Sequence, residues 1–172
     1  MPVVLQNQQR VVALDRVWLR RTAEAVLSAA RADDAELSLV LVSDRRMRAL
    51  NRRYRKKDQP TDVLAFPLLE PSGPSSKRRS PAPAASVAAK SRLSRVPIIL
   101  GDVVISVPMA KRQAAELGHG LREELRRLLV HAVLHLMGYD HERGPRDAAL
   151  MARKEQAILK ALGGRVRVGV QE

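Results

Sequence analysis

The chain has no cysteine among its 172 residues. Disulfides, thiolate zinc sites and cysteine nucleophiles are therefore excluded, and a reducing compartment fits. Aromatics are scarce as well: Trp18, Tyr54, Phe66 and Tyr139 are the only four. A sheet that reads single strands by stacking needs several aromatics on one face. If RNA is the partner, phosphate contacts and shape should carry the affinity. No apolar run is long enough to span a bilayer. The opening stretch, MPVVLQNQQRVVALDR, has no basic segment leading into an apolar run. No secretory signal is expected there, and a cytoplasmic location is the expectation.

Acidic residues are outnumbered: 18 Asp and Glu stand against 31 Lys and Arg, for a formal charge of +13. Such a balance favours an anionic partner, nucleic acid before an acidic membrane surface. A codon bias toward arginine, with ordinary solvated faces, is the plainer account of part of the excess. Residues 71–96 carry Lys77, Arg78, Arg79, Lys90, Arg92 and Arg95 and no acid, so the rest of the chain holds +7. This segment is rich in proline, serine and alanine and has no apolar period, which predicts a disordered basic insertion within one domain spanning 1–166. It reads as a solvated loop; the alternative is a basic arm that gathers RNA. Residues 167–172 form a tail.

Strand-like runs occur at Val3–Gln6, Glu36–Asp44, Thr61–Leu68 and Ile98–Val107. The second is almost continuously apolar, which predicts burial on both faces. Pro67 cannot donate to a ladder and predicts a strand end or edge. Asp15, Ser43 or Asp44, and Ser106 with Pro108 are helix-start signals. Val17, Trp18 and Ala25 are expected on the inner face of the first helix. Leu121–Met137 has one apolar stripe of Leu121, Leu125, Leu128, Leu129, Ala132 and Leu136. Gly144, Pro145 and Asp147 open a last helix ending near Leu162–Gly164. Strands and helices mix without strict alternation, so the expected class is α+β, with a single sheet.

Three of the four histidines fall in HAVLHLMGYDH, from His131 to His141. His131 and His135, four apart on a helix, stand one above the other about 6 Å apart at Cβ. Gly138 can end that helix and turn the chain back, so His141 can approach from a third direction. Three such imidazoles define three corners of a tetrahedron and leave one open, the arrangement of a catalytic zinc site. The spacing His-x3-His-x2-Gly-x2-His is the metzincin ligand pattern with Ala132 in place of the catalytic glutamate. Alanine cannot take a proton, so peptide hydrolysis by the usual route is disfavoured. Glu124 lies seven residues before His131, about 10 Å along the axis, too far to serve as ligand or direct base. His119 is expected on a surface loop. Asp140 reads equally as a turn residue or as a group orienting a ligand, and Glu142 as a solvated turn residue. RRMRALNRRYRKKD, Arg45–Asp58, holds eight cations in fourteen residues. Arg55, where helix gives way to loop, is a better candidate for a fixed role than its neighbours.

HAVLHLMGYDH, together with LNRRYRKKDQPTDVLAFP, LGDVVIS and MARKEQAIL, resembles the motifs of the YbeY family of zinc-dependent endoribonucleases that mature ribosomal RNA. The likeness runs from about Leu50 to Gly163, apart from the insertion. It implies an α+β domain with a four-stranded mixed sheet and about five helices around a metal cleft. It implies one zinc held by His131, His135 and His141, and a functional role for Arg55. It also implies cytoplasmic work on small-subunit ribosomal RNA, in 3′-end maturation and quality control, with ribosomal proteins as partners and no DNA. The family usually has glycine at the position of Ala132 and serine at that of Ala65. Ala132 adds a methyl beside the expected metal, and Ala65 removes a hydroxyl on the expected substrate side. The alternative function is a ribosome assembly factor that binds RNA and whose metal is mainly structural.

Deleting residues 71–96 is expected to leave the melting temperature nearly unchanged, because a solvated segment buries little. RNA affinity should fall with a shallower salt dependence if its cations touch phosphates. Thermal unfolding of the deletion variant checks this, and a large loss of stability refutes the insertion reading.

Overall fold

The computed structural model describes residues 2–68 and 98–163; the expected insertion, 71–96, and the tail, 167–172, lie outside them. Four strands run β1 (Val3–Asn7), β2 (Ala35–Val42), β3 (Val63–Pro67) and β4 (Ile98–Ser106). Their spatial order is β1-β2-β4-β3. β2 pairs in parallel with β1 and β4, and β3 pairs antiparallel with β4, so the sheet is mixed. Five α-helices accompany it among the described residues: α1 (Arg16–Ala29), α2 (Asp44–Arg55), α3 (Val107–Leu117), α4 (Leu121–Leu136) and α5 (Pro145–Ala161). The α+β expectation holds.

Side chains alternate across a strand, and paired residues share a face. Leu37, Leu39 and Leu41 of β2, Val103 and Ile105 of β4, and Val63 and Ala65 of β3 form one face, in the main core with α1 and α4. Val40, Val42, Val104, Leu64 and Phe66 form the other, against Met47 and Leu50 of α2. β2 meets the expected burial on both faces in part: Val42, on the α2 side, is buried. Its Leu37, Leu39 and Leu41 are buried, while Glu36, Ser38 and Val40 are only half-buried. One face meets two long helices and the other a single short one. Pro67 ends β3, which is an edge strand, as the missing donor requires.

The caps read from the sequence are in place. The Asp15 carboxylate accepts from the Trp18 amide at 3.0 Å, and the Ser43 hydroxyl from Arg46 at 3.3 Å. The Ser106 hydroxyl accepts from the Met109 amide at 3.4 Å and donates to Asp44 at 2.8 Å. Asp44 also receives Arg112 at 2.7 Å, so α2 and α3 are tied through one carboxylate. Arg112 holds the Asp44 carboxyl below the usual carboxylate range, against a smaller opposing effect of burial. In α1 the inner face is Leu19, Ala23, Val26 and Leu27, and Val17 is exposed instead. Trp18 is partly buried against this core, as expected, and Ala25 is half-buried.

Two features seat α4. Its buried residues include Leu125, Leu128, Leu129, Ala132 and Leu136 of the expected stripe, and also Val130, Val133 and Leu134, so the helix is enclosed around most of its girth. Beneath it, Gly101 has φ +147°, and a Cβ there would meet the Phe66 carbonyl at 2.3 Å and Leu136 Cδ2 at 3.0 Å. Only glycine lets β3, β4 and α4 approach so closely.

At the other end of α4 the expected surface histidine is buried: the side chains of His119 and Glu124 are 6% and 5% exposed and lie 2.5 Å apart, Nε2 to Oε2. With its amide nitrogen turned inward, Gln113 donates to Glu124 Oε1 and to Asp62 Oδ2, each at 3.2 Å. His119 does lie in the loop between α3 and α4, as Gly-His-Gly suggested, but its side chain turns inward. The reason for burial is Glu124, an acid on the inner face of α4 that needs a partner.

Gly101→Ala is expected to cost about 2–4 kcal/mol through backbone strain and overpacking. Gly120→Ala, which meets nothing within 4 Å, should stay within about 0.5 kcal/mol of wild type. His119→Ala should cost about 2–3 kcal/mol by leaving a buried carboxylate short of a partner. Denaturant unfolding of the three variants checks these values.

Candidate metal centre

α4 has to stop for the third histidine to reach the first two. The amides of Met137, Gly138 and Tyr139 fold back onto carbonyls of Val133, His135 and Leu134 at 3.0 Å each. Gly138 takes φ +98°, a conformation that favours glycine, and reverses the chain. Asp140 then caps a short 3-10 turn, His141–Arg143, by accepting the Glu142 amide at 2.9 Å. Asp140 also lies 3.5 Å from Arg143. Of the two roles open for Asp140, the turn role is the one its contacts express. Glu142 is exposed. Tyr139 is buried between the glycine and the cap and pins the segment to the core.

This path brings His131, His135 and His141 together, with one ligand nitrogen from each lying within 4.8 Å of the others. The ring centroids are 4.6, 5.4 and 5.2 Å apart, and the Nε2 atoms of His131 and His135 are 3.1 Å apart. Two imidazoles on one tetrahedral zinc, with Zn–N near 2.0–2.1 Å, put their nitrogens about 3.3 Å apart. The donor set and its spacing therefore fit a zinc-like ion. His131 and His135 are half-buried and His141 is exposed, so the cluster opens to solvent on one side. Burial, reinforced by the neighbouring imidazoles of His131 and His141, lowers the pKa of His135. Asp140 and a backbone hydrogen bond with Tyr139 oppose that shift. The net effect favours the neutral imidazole, which is the form that binds a metal.

One residue at the cluster was not singled out from the sequence. Glu155 of α5 accepts from His131 Nδ1, at 2.5 Å across 24 residues of chain. Its signal was present: Met151 and Ile158, four before and three after it, are the buried residues of α5, so Glu155 shares their stripe. Ala132 has no exposure and packs in the main core, where Ala65 also packs.

Arg55 is the last residue of α2, exposed, and in no ion pair among the described residues. It makes no hydrogen bond or ring contact with the three histidines. Its neighbour Tyr54 meets Phe66 edge to face at 5.1 Å, which sets the end of α2 beside β3. α4 lies on β3 from the opposite face.

The chain is similar along most of its length to known proteins. The family model described as Endoribonuclease YbeY matches residues 4–163. The chain is 45% identical over 157 residues to Endoribonuclease YbeY of Anaeromyxobacter dehalogenans, covering 90% of this chain and 69% of that protein. It is 40% identical over 160 residues to the Aquifex aeolicus protein of the same name, covering 93% and 91%. For that of Pelotomaculum thermopropionicum the figures are 43% over 166 residues, with 94% and 97% covered. A solution structure from Thermotoga maritima shares the fold, with a TM-score of 0.58 at 22% identity over 94% of this chain and 89% of that one. With a family match across nearly its whole length and relatives this similar, the chain belongs to the YbeY endoribonuclease family.

Proposed function

We propose that this chain is a zinc-dependent endoribonuclease that cuts single-stranded RNA in 3′-end maturation of small-subunit ribosomal RNA. On this reading it also serves ribosome quality control, works in the cytoplasm and has ribosomal proteins as partners. The observation that carries the metal part is the convergence of three imidazole nitrogens within 4.8 Å at the open end of α4. A zinc held by His131, His135 and His141 would supply a Lewis acid that activates water near neutral pH.

The remaining chemistry falls to the chain's own cations. Cleaving a phosphodiester needs positive groups where charge grows on the phosphoryl oxygens. Arg55 has five donors in a planar fork that suits such oxygens, and no acid pairs with it among the described residues. Arg48 is paired with Asp58 at 2.9 Å and Arg52 also acts on that carboxylate, whereas Arg45, Arg46 and Arg53 make no ion pair among the described residues. These guanidiniums supply a sequence-independent hold on the backbone. Tyr54 is 55% exposed, with the Arg53 guanidinium 5.4 Å from its ring centre, and offers one place for a base to stack.

One observation favours the alternative, an assembly factor with a structural metal. The only carboxylate bonded to the triad among the described residues is engaged by His131, which leaves no free base in contact with the site.

As purified, the protein should hold about one zinc per chain, and His135→Ala should abolish stoichiometric binding. Arg55→Ala should fold and keep its zinc yet lose about 10²–10³ in cleavage rate. Arg55→Lys should recover only part, and Arg52→Ala should weaken binding while leaving turnover at saturation nearly intact. Single-turnover cleavage of a ribosomal RNA 3′-end fragment, with metal content measured for each variant, checks this. Zinc-loaded protein that binds the fragment without cutting it would establish the assembly-factor alternative. Equal, small losses for Arg55→Ala and Arg52→Ala would remove Arg55 from the chemistry.

A further inference from the structure

α5 presents an acid where its packing calls for an apolar residue. Met151 and Ile158 are 1% and 5% exposed, and Glu155 stands between them on the same stripe, with its side chain 29% exposed. A partly desolvated carboxylate needs a donor. Arg153 and Lys154 adjoin it in sequence but project from other sides of the helix and make no ion pair with it among the described residues. Its partner is His131 Nδ1, at 2.5 Å.

This contact fixes more than a position. An ionised carboxylate only accepts hydrogen bonds, so the proton of a neutral His131 must sit on Nδ1. The lone pair is then on Nε2, the atom 3.1 Å from His135 Nε2. Glu155 also removes the rotation by which the imidazole could present its other nitrogen. A histidine that binds a metal through one nitrogen commonly donates the other N–H to a carboxylate, which holds the ring and makes it more basic.

We infer that Glu155 is a positioning residue of the centre, setting the tautomer and ring orientation of His131 so that Nε2 faces the space shared with His135 and His141. This rests on the proposed metal role of the three histidines. Glu155 is not a ligand, because its bonded oxygen is directed at the far side of the His131 ring. α5 thereby takes part in the centre without supplying a ligand.

The test uses full-length protein, zinc and a chromophoric chelator in competition. Zinc affinity and the melting temperature of the metal-free form are measured for wild type, Glu155→Gln, Glu155→Met, Glu155→Ala and His135→Ala. Nitrogen NMR of the metal-free protein reads the His131 tautomer. Wild type should show the Nδ1–H form, and Glu155→Met should lose that preference. Glu155→Met and Glu155→Ala should bind zinc about 10- to 100-fold more weakly. Glu155→Gln keeps an oxygen acceptor of the same reach and should recover most of the affinity. Metal-free melting temperatures of the Gln and Met variants should stay close to wild type, since both keep the side-chain volume. Wild-type affinity in Glu155→Met would overturn the inference and leave the metal reading standing. So would a loss in Glu155→Gln as large as in Glu155→Met, which would make Glu155 a ligand or a bulk charge. Equal zinc binding by wild type and His135→Ala would instead overturn the metal reading, and this inference with it.

Discussion

The seating of α4 on the sheet is the constraint on which the rest of the structure depends. A helix buried around most of its girth cannot rotate without exposing leucine and valine, each worth roughly 1.5–3 kcal/mol when fully buried. Leu125, Leu128, Leu129 and Leu136 fix the rotation, and the missing side chain at Gly101 fixes the depth by letting Leu136 drop against β4. Once rotation and depth are set, His131 and His135 fall on the narrow margin that the core does not claim. Their half-burial follows from packing, and with it the lowered pKa of His135.

Carboxylates placed against imidazoles recur at both ends of this helix, with different results. Glu124 and His119 are almost wholly enclosed, and Gln113 extends the pair to Asp62 at the start of β3. That cluster satisfies a buried acid and joins α3, α4 and β3. Glu155 and His131 are about one-third exposed and stand beside two further imidazoles. The same pair of groups is a structural fastener where water is excluded. Where solvent and additional nitrogen donors remain within reach, it orients one imidazole of a cluster.

The arginine-rich segment and the histidine cluster come from opposite faces of the sheet. α2 carries its arginines on one side and α4 its histidines on the other, and β3 is the edge strand between them. The stretch from Arg45 to Pro67 is continuous in the sequence because it forms α2, the turn after it and β3. The Tyr54–Phe66 contact closes that unit upon itself. Half the chain's few aromatics are spent there, which gives the single-strand reading one stacking position and leaves phosphate contacts with most of the work.

Periodicity and punctuation were enough to read much of this protein from its sequence. The stripe of α4, the caps at Asp15, Ser43 and Ser106, the edge position of Pro67 and the turn at Gly138 are local consequences of side-chain shape and hydrogen bonding. The clustering of His131, His135 and His141 was legible for the same reason: helical spacing and one glycine suffice to bring them together. Contacts between distant segments were not legible. His119 reads as a surface residue until Glu124 is seen to face inward, and Glu155 reads as one more helix acid until α5 docks on α4. The role of Gly101 appears only when Phe66 and Leu136 close over it. Local patterns carry the geometry of single elements, but a buried charge declares its partner only when tertiary packing has removed the water that would otherwise serve it.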